Sequence, residues 1–377
     1  MSRPMRVLLD GLQAGNLSGT GRYIMELARW LPVLGDDLEL AVLWPAHVLH
    51  PAISPEMRIS FVTVNAQTPL ARIYQGHGKI RSMLGETRAD VVHYPANFSP
   101  LLTRSGRAKV VLTVHDLSFL REPAWYRWNR AAYYRYAARK SVRHADRLIA
   151  DSYATATDLS TLLKVPQERI DIVPLGVGEP FKPATPEQQA TARQVYNLPE
   201  QFFLYVGTIE PRKNVVRLIE AWSKIAAGIP YDLVIAGREG WKCRPVKDAT
   251  KISPHAGRIH FPGFIRGEEL PALLGAARVF VWPSLWEGFG LPPLEAMACG
   301  TPVVSSNRSS IPEALGDAAL LVDPLNIEQL AAAMRDAATD EELRKRLVAA
   351  GLARAATFTW RRTAQLTLAA YRRALEK

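Results

Sequence analysis

The chain has 377 residues, 48% of them hydrophobic, and a formal charge of +11 at pH 7. Its length exceeds one ordinary hydrophobic core and predicts two domains, and no stretch approaches the ~20 uninterrupted apolar residues of a membrane span. Two distant cysteines, Cys243 and Cys299, and eight histidines without metal-ligand spacing argue against a disulfide framework and a tightly held metal. The basic excess favours anionic partners such as nucleotides, nucleic acid or an acidic membrane.

The N-terminal MSRPMRVLLDGL lacks the apolar core and cleavage site of a signal peptide and MRVLLD (5–10) reads as a first buried strand, while the two distant cysteines suit a reducing cytoplasm, the expected location. A helix over 20–34 follows, with Ile24, Leu27, Ala28 and Leu31 on one face. Further strands are expected at 38–44, 58–64, 89–95, 109–116 and 146–152, with helices near 69–84 and 123–144. Strands alternating with helices predict a parallel sheet covered on both faces. VPLGVGEPFKPATP (173–186) holds four prolines and marks a boundary. Beyond it, strands are expected at 202–207, 231–237, 258–263, 278–284, 301–306 and 319–323. Helices are expected at 214–227, 267–275, 292–299 and 326–355. The fold class is therefore α/β, with two doubly wound Rossmann-like domains over 1–178 and 179–358 facing each other across a cleft. A C-terminal helix over 359–377, with Leu366, Ala369, Ala370 and Leu375 along one side, follows them.

Ligands of doubly wound sheets bind outside the carboxyl ends of the strands, and three loops there have unusual chemistry. TIEPRKN (208–214) puts Arg212 and Lys213 at a helix N-terminus, where free N–H groups already favour an anion; the pair suits a diphosphate or is a solvated basic turn. Glu210 is a candidate partner within that loop. EGFGLPPLEA (287–296) sets Glu287 on a loop and Glu295 in the first turn of a helix, with the backbone amides of Gly288, Phe289 and Gly290 between them. Two carboxylates facing a common ligand suit sugar or ribose hydroxyls. TVHDLSF (113–119) ends a strand with His115 and Asp116, either structural or facing the cleft. The glycines of NLSGTG (16–21) fit no dinucleotide or ATP fingerprint.

GTIEPRKN followed by EGFGLPPLEA closely resembles the retaining glycosyltransferases of family 4, which have the GT-B fold, and most of all their bacterial mannosyltransferase-like branch in surface-polysaccharide synthesis. SGTGRY, TVHDLSFL, ADS, VPLGV and HFPGF extend the resemblance over nearly the whole chain. It implies that Arg212 and Lys213 hold the donor diphosphate, Glu295 the ribose, and Glu287 the transferred sugar beside the amides of Gly288, Phe289, Gly290 and Leu291. It also implies that Gly263, Phe264 and Ile265 line the base pocket, that His115 faces the donor sugar, and that Gly19 and Gly21 let the first helix approach the donor or acceptor. The catalytic set is then His115, Glu287, Arg212 and Lys213.

The expected donor is a nucleotide-diphosphate sugar, inclining to a GDP-linked hexose (mannose or a deoxyhexose such as rhamnose), with no metal or other cofactor. The expected acceptor is a lipid-linked glycan or oligosaccharide of O-antigen or exopolysaccharide synthesis. Residues 121–147 carry eight basic and two acidic side chains, and 123–147 has Arg127, Arg135, Arg139, Arg143 and Arg147 on a four-residue ridge with Trp125, Trp128, Tyr133 and Tyr134 interleaved. This stretch and 69–84 suit peripheral attachment to an anionic membrane or are solvated faces of core helices. No nucleic-acid module is visible, so nucleic acid is not an expected partner. A UDP-sugar transferase, a sucrose-, trehalose- or glycogen-type synthase, a nucleotide-sugar epimerase and a non-catalytic sugar-nucleotide sensor remain alternatives.

Overall fold

A computed structural model describes residues 3–16, 19–35, 37–65, 69–100 and 106–376, without the side chains of 69–77. The chain forms two compact units, Met1–Gly176 with Thr359–Lys377, and Val177–Phe358.

The first unit runs β1 Met5–Asp10, α1 Gly19–Leu34, β2 Leu38–Pro45, β3 Ile59–Val64, α2 Pro69–Thr87, β4 Val91–Tyr94, β5 Lys109–Val114, α3 Ser118–Arg121, α4 Trp128–His144, β6 Arg147–Ala150, α5 Tyr153–Leu163 and β7 Ile170–Ile172. Its seven strands are parallel in the order β3-β2-β1-β4-β5-β6-β7, so the winding reverses between β1 and β4. Leu8, Leu43, Val92, Leu112 and Leu148 are wholly buried in the core, because helices cover both faces of a parallel sheet. Sequence periodicity ran one helix through 123–144; instead a four-residue α3 and a turn at Pro123–Trp125 precede α4. Arg147 is not on the helix ridge but opens β6, buried in a fork onto Asp171 (Nη2–Oδ1 2.9 Å).

The second unit runs α6 Pro186–Val195, β8 Phe202–Val206, α7 Val215–Ile225, β9 Asp232–Ala236, α8 Arg244–Ile252, β10 Ile259–Gly263, α9 Leu270–Ala276, β11 Val279–Trp282, α10 Leu291–Ala298, β12 Val303–Ser306, α11 Ile311–Leu315, β13 Leu320–Val322, α12 Ile327–Thr339 and α13 Glu341–Ala356. Six parallel strands lie in the order β10-β9-β8-β11-β12-β13, and the winding reverses between β8 and β11. The helix expected over 326–355 is two helices, broken where the Asp340 carboxylate accepts from the N–H groups of Glu342 and Leu343 and caps α13.

The last helix, α14 Trp360–Leu375, belongs to the first unit and packs on α1 and across β4, β5 and β6. Its buried face is Trp360, Thr363, Ala364, Thr367, Leu368, Ala370, Tyr371 and Ala374. Of the face read from Leu366, Ala369, Ala370 and Leu375, Ala370 is buried, whereas Leu366 and Ala369 are half-buried and Leu375 is 41% exposed, because a fully buried tyrosine sets the orientation. Tyr371 Oη meets His93 Nδ1 at 2.7 Å, His93 Nε2 meets Thr113 Oγ1 at 2.7 Å, and Thr113 Oγ1 meets Tyr23 Oη at 3.1 Å. Burial, assisted by the nearby His115, lowers His93 to about 3. The link between α14, the sheet and α1 is thus a neutral hydrogen-bonded chain.

Candidate active site

In a doubly wound sheet the crevice lies where the strand order reverses. In the second unit the reversal falls between β8 and β11, and the loops that leave these two strands carry Arg212, Lys213 and Glu287. Two hydrogen bonds join the loops: Leu285 N–H donates to Arg212 O at 2.8 Å, and the Arg212 guanidinium donates from Nη1 to Trp286 O at 2.7 Å. Asn214, left-handed at φ 60°, donates from its amide to the carbonyls of Pro283 and Pro324 and fixes the start of α7.

These constraints bring the two cations onto one carboxylate. Glu287 Oε2 accepts from Arg212 Nη1 at 2.9 Å, and Oε1 accepts from Lys213 Nζ at 2.7 Å. Glu210 Oε1 takes the other edge of Arg212, from Nη2 at 3.0 Å. Two carboxylates therefore balance two cations in a site where no side chain of the four exceeds 13% exposure. Burial alone would raise the Glu287 carboxyl, but Lys213 and Arg212 outweigh it and hold the group down at about 2. Burial, then Arg212, lowers the Lys213 ammonium, which also sits 4.5 Å over the Trp282 ring. The carboxylate expected at a sugar is here gripped by the pair expected at a diphosphate.

The Glu287 loop is pinned from β12 and α11: Ser309 Oγ accepts from Glu287 N–H at 2.9 Å, and Ser310 Oγ lies 3.0 Å from Glu287 O and 2.9 Å from Phe289 O. Gly290 caps α10 at φ 117°, and a Cβ there would lie 2.9 Å from Ile311 Cδ1. Phe289 turns its ring inward onto Phe358, 5.5 Å between centroids, so its backbone alone is offered to a ligand. Gly288 and Leu291 are buried beside it. Glu295 is buried as the fifth residue of α10, one position beyond the first turn read from sequence, because the helix already begins at Leu291. At the end of β10, Gly263 has φ 80°, Phe264 is 41% exposed under the Arg238 guanidinium at 4.4 Å, and Ile265 is buried.

His115 lies on the first unit. Its Nδ1 is 2.7 Å from Asp151 Oδ2 and its Nε2 is 2.9 Å from the Pro95 carbonyl, while its backbone N–H donates to Asn97 Oδ1 at 2.6 Å. A carbonyl only accepts, so Nε2 carries a proton; facing a carboxylate, Nδ1 carries one too. Burial would lower this histidine, but Asp151 outweighs it and raises the pKa, while burial raises the Asp151 carboxyl in turn; both ring nitrogens are engaged by acceptors of the same unit. Asp116 instead turns to its own loop and accepts from Ser118 N–H at 2.9 Å. Gly21 is buried in α1, where a Cβ would collide with Asn16 O at 1.9 Å; its freedom serves the packing of its own loop. Gly19 opens α1, and Leu17 and Ser18 lie outside the described residues.

Sequence reading missed Asp151, Ser309, Ser310 and Trp282. The first had a readable signal: Val114 pairs with Ala150, so the next residues along β5 and β6 are His115 and Asp151. Among the described residues no three His, Cys, Asp or Glu side chains gather as a metal site, and no helix is long and apolar enough to cross a membrane.

Residues 17–178 match the family described as Glycosyltransferase Family 4, and residues 188–354 match that described as Glycosyl transferases group 1. Over 369 residues the chain is 31% identical to O-antigen chain mannosyltransferase B of Escherichia coli, covering 94% of this chain and 96% of the relative. Sucrose-phosphate synthase from Thermosynechococcus elongatus superposes with a TM-score of 0.79 at 22% identity, over 98% of both chains. Anabaena HepE, solved with UDP-glucose, gives 0.73 at 18% identity, over 97% of this chain and 99% of that one. These likenesses show the GT-B fold. With a full-length relative above 30% identity, the chain is a glycosyltransferase and belongs to family 4, on its bacterial mannosyltransferase-like branch.

Proposed function

We propose that the protein transfers mannose, or a deoxyhexose such as rhamnose, from a GDP-linked donor to a lipid-linked glycan in O-antigen or exopolysaccharide synthesis. The observation that carries this reading is its likeness along nearly its whole length to an O-antigen mannosyltransferase. The chemistry follows from the switch-point cluster. Breaking an anomeric C–O bond develops negative charge on the departing diphosphate and positive charge on the ring. Arg212 and Lys213 supply the counter-charge for the first, and no resident metal is invoked. Incoming phosphate oxygens take over the protons now donated to Glu287 and Glu210, which frees the Glu287 carboxylate for hydroxyls or the ring of the sugar. Glu295 takes the ribose. His115, with its ring nitrogens held by Asp151 and the Pro95 carbonyl, is fixed in place and does not act as a proton shuttle.

Transfer proceeds with retention, the leaving phosphate accepting the proton of the acceptor hydroxyl on the same face of the sugar. A glycosyl adduct trapped on Glu287 refutes that step.

The acceptor reading draws on α4. Arg127, Arg130, Arg135, Arg139 and Arg143 are exposed along it, as are Trp128 (85%), Tyr133 and Tyr136. Tyr134 turns inward, stacked on Phe98 at 5.4 Å. Exposed arginines interleaved with exposed aromatic rings suit the headgroups of an anionic membrane. In the second candidate segment, the side chains of 69–77 lie outside the described residues.

A UDP-linked donor is the second reading, favoured by the likeness to a transferase solved with UDP-glucose. Thermal shift with GDP-mannose, GDP-rhamnose, GDP-fucose, UDP-glucose and UDP-N-acetylglucosamine separates the two. Saturation at a hundredfold excess over Kd adds about 2.7 kcal/mol. Stabilisation by GDP-sugars that is lost in Arg212→Ala and Glu295→Ala supports the proposal; stabilisation by UDP-sugars alone overturns the donor assignment.

A further inference from the structure

Lys213 is a buried cation of the switch-point cluster, and an aromatic platform at the ends of two neighbouring strands lies against it. Trp282 closes β11, and Tyr205 lies in β8, the strand beside it across the reversal in winding. Both side chains are fully buried. Their rings stack at 5.1 Å between centroids, 14° apart. Tyr205 Oη donates to Thr208 O at 3.2 Å, which ties the platform to the loop that carries Lys213. Gly207 leaves room for the indole, since a Cβ there would lie 2.9 Å from Trp282 Cη2. Lys213 Nζ stands 4.5 Å over the indole ring. Among the described residues that ammonium has one hydrogen-bond acceptor, Glu287 Oε1 at 2.7 Å. Packing alone does not call for an indole here. Trp282 Nε1–H is buried and no described residue accepts from it, a cost that phenylalanine would not carry. Phe280, in the same strand and nearly parallel to the indole at 6.0 Å, serves the core without a polar atom. What the indole adds is the aromatic face that attracts a cation most strongly.

We propose that Trp282 is a positioning residue for the leaving group, keeping the Lys213 ammonium on the departing diphosphate once Glu287 has turned to the sugar. The inference rests on the reading that Arg212 and Lys213 hold the diphosphate. In the free protein Glu287 and the indole share the ammonium. A bound donor draws the carboxylate away, and the flexible lysine stem then has no acceptor of the protein's own to aim it. Arg212 needs no such support, because its rigid guanidinium stays tied to Trp286 O at 2.7 Å. A ring face holds an ammonium by its quadrupole and takes no lone-pair hydrogen bond from it, which leaves N–H groups for phosphate oxygens.

The test is isothermal titration of the full chain with GDP and with UDP. The proteins are wild type, Trp282→Phe, Trp282→Leu, Lys213→Met, and both Trp282 changes made together with Lys213→Met. Trp282→Phe keeps a ring in the stack, and far-UV circular dichroism checks that each variant is folded. The nucleotide that wild type binds more tightly should bind about threefold more weakly to Trp282→Phe and about tenfold more weakly to Trp282→Leu. Lys213→Met should weaken binding at least about tenfold and make both Trp282 changes silent, because a residue that acts through the ammonium has nothing left to act on. A platform that only packs the core predicts the same loss from each Trp282 change with and without Lys213. That result, or unchanged affinity in both Trp282 variants, overturns this inference and leaves the diphosphate reading standing. Unchanged affinity in Lys213→Met, or failure of wild type to bind either nucleotide, removes the diphosphate reading and this inference with it.

Discussion

Replacing Glu287 by Gln keeps the side chain's size and removes one charge from a cluster in which Glu210 and Glu287 balance Arg212 and Lys213. The two cations contact the carboxylate at 2.9 and 2.7 Å, and all the side chains are nearly buried. Removing one partner of a buried pair costs roughly 3–5 kcal/mol, and the amide oxygen keeps one of the bonds, which places the loss near about 3 kcal/mol. The carboxyl's displacement from 4.5 to about 2 leads to the same order, roughly 3 kcal/mol. Its folded-state pKa is depressed, so this stability is present above the ordinary carboxylate range and is lost as pH falls from about 5 toward 2. Urea unfolding, followed by circular dichroism in the transition that GDP displaces, should show the loss at pH 7 and a flattened acid limb in Glu287→Gln. The variant's uncompensated cations should also bind GDP about tenfold more tightly (~1.4 kcal/mol) while turnover collapses. Equal stability of the two proteins, or weaker GDP binding by the variant, would refute a cluster in which this carboxylate occupies the place of the ligand's charge.

Three further outcomes are expected. Nitrogen-15 spectra of the His115 ring should show both nitrogens protonated at pH 7. The raised pKa means that its stabilising contribution is complete below the ordinary value of 6.5 and is lost as pH climbs through the folded value; Asp151→Asn should lower that value, and a singly protonated ring at pH 7 contradicts the assignment. Gly290→Ala, at φ 117° and with Ile311 Cδ1 at 2.9 Å from the new Cβ, should cost about 1–3 kcal/mol in urea unfolding, and a loss below about 0.5 kcal/mol would show that the turn tolerates a side chain. Reversing Arg135, Arg139 and Arg143 to Glu should abolish salt-sensitive sedimentation with phosphatidylglycerol vesicles, since each cation contributes about 1 kcal/mol; absence of wild-type binding removes the membrane reading of α4.

Most strands were legible because a parallel sheet buried on both faces appears as apolar runs, so MRVLLD and FFLYV stand out by composition alone. The misses have local causes. β7 is three residues, Ile170–Ile172, directly after a polar Gln-Glu-Arg turn. α8, RPVKDATKI, is nine residues long and buries only Val246, too short an apolar stripe to stand out. α12 and α13 merged because their apolar periodicity runs on through Asp340, although Thr-Asp-Glu-Glu is a readable helix start. α14 was rotated because its buried stripe is threaded by threonines and a tyrosine, which hydropathy scores as surface.

The site was legible as loops but not as a constellation, and strand order accounts for the difference. Glu287 lies 75 positions from Arg212, and nothing local aims one at the other; they meet because β8 and β11 are neighbours across the reversal in winding. His115 and Asp151 meet for a simpler reason, as the residues that follow a register-matched pair on adjacent strands. In both units the charged residue is spent on a partner one strand away. That is why a carboxylate read from sequence as a ligand for sugar is found holding cations, and a histidine read as facing the donor is found with both ring nitrogens engaged. Local motifs identify which groups the site contains, whereas their protonation and charge balance follow from which strand ends are adjacent. A substitution that leaves every motif intact but alters a partner, such as Asp151→Asn beneath His115, therefore tests the site more sharply than removal of the motif residue itself.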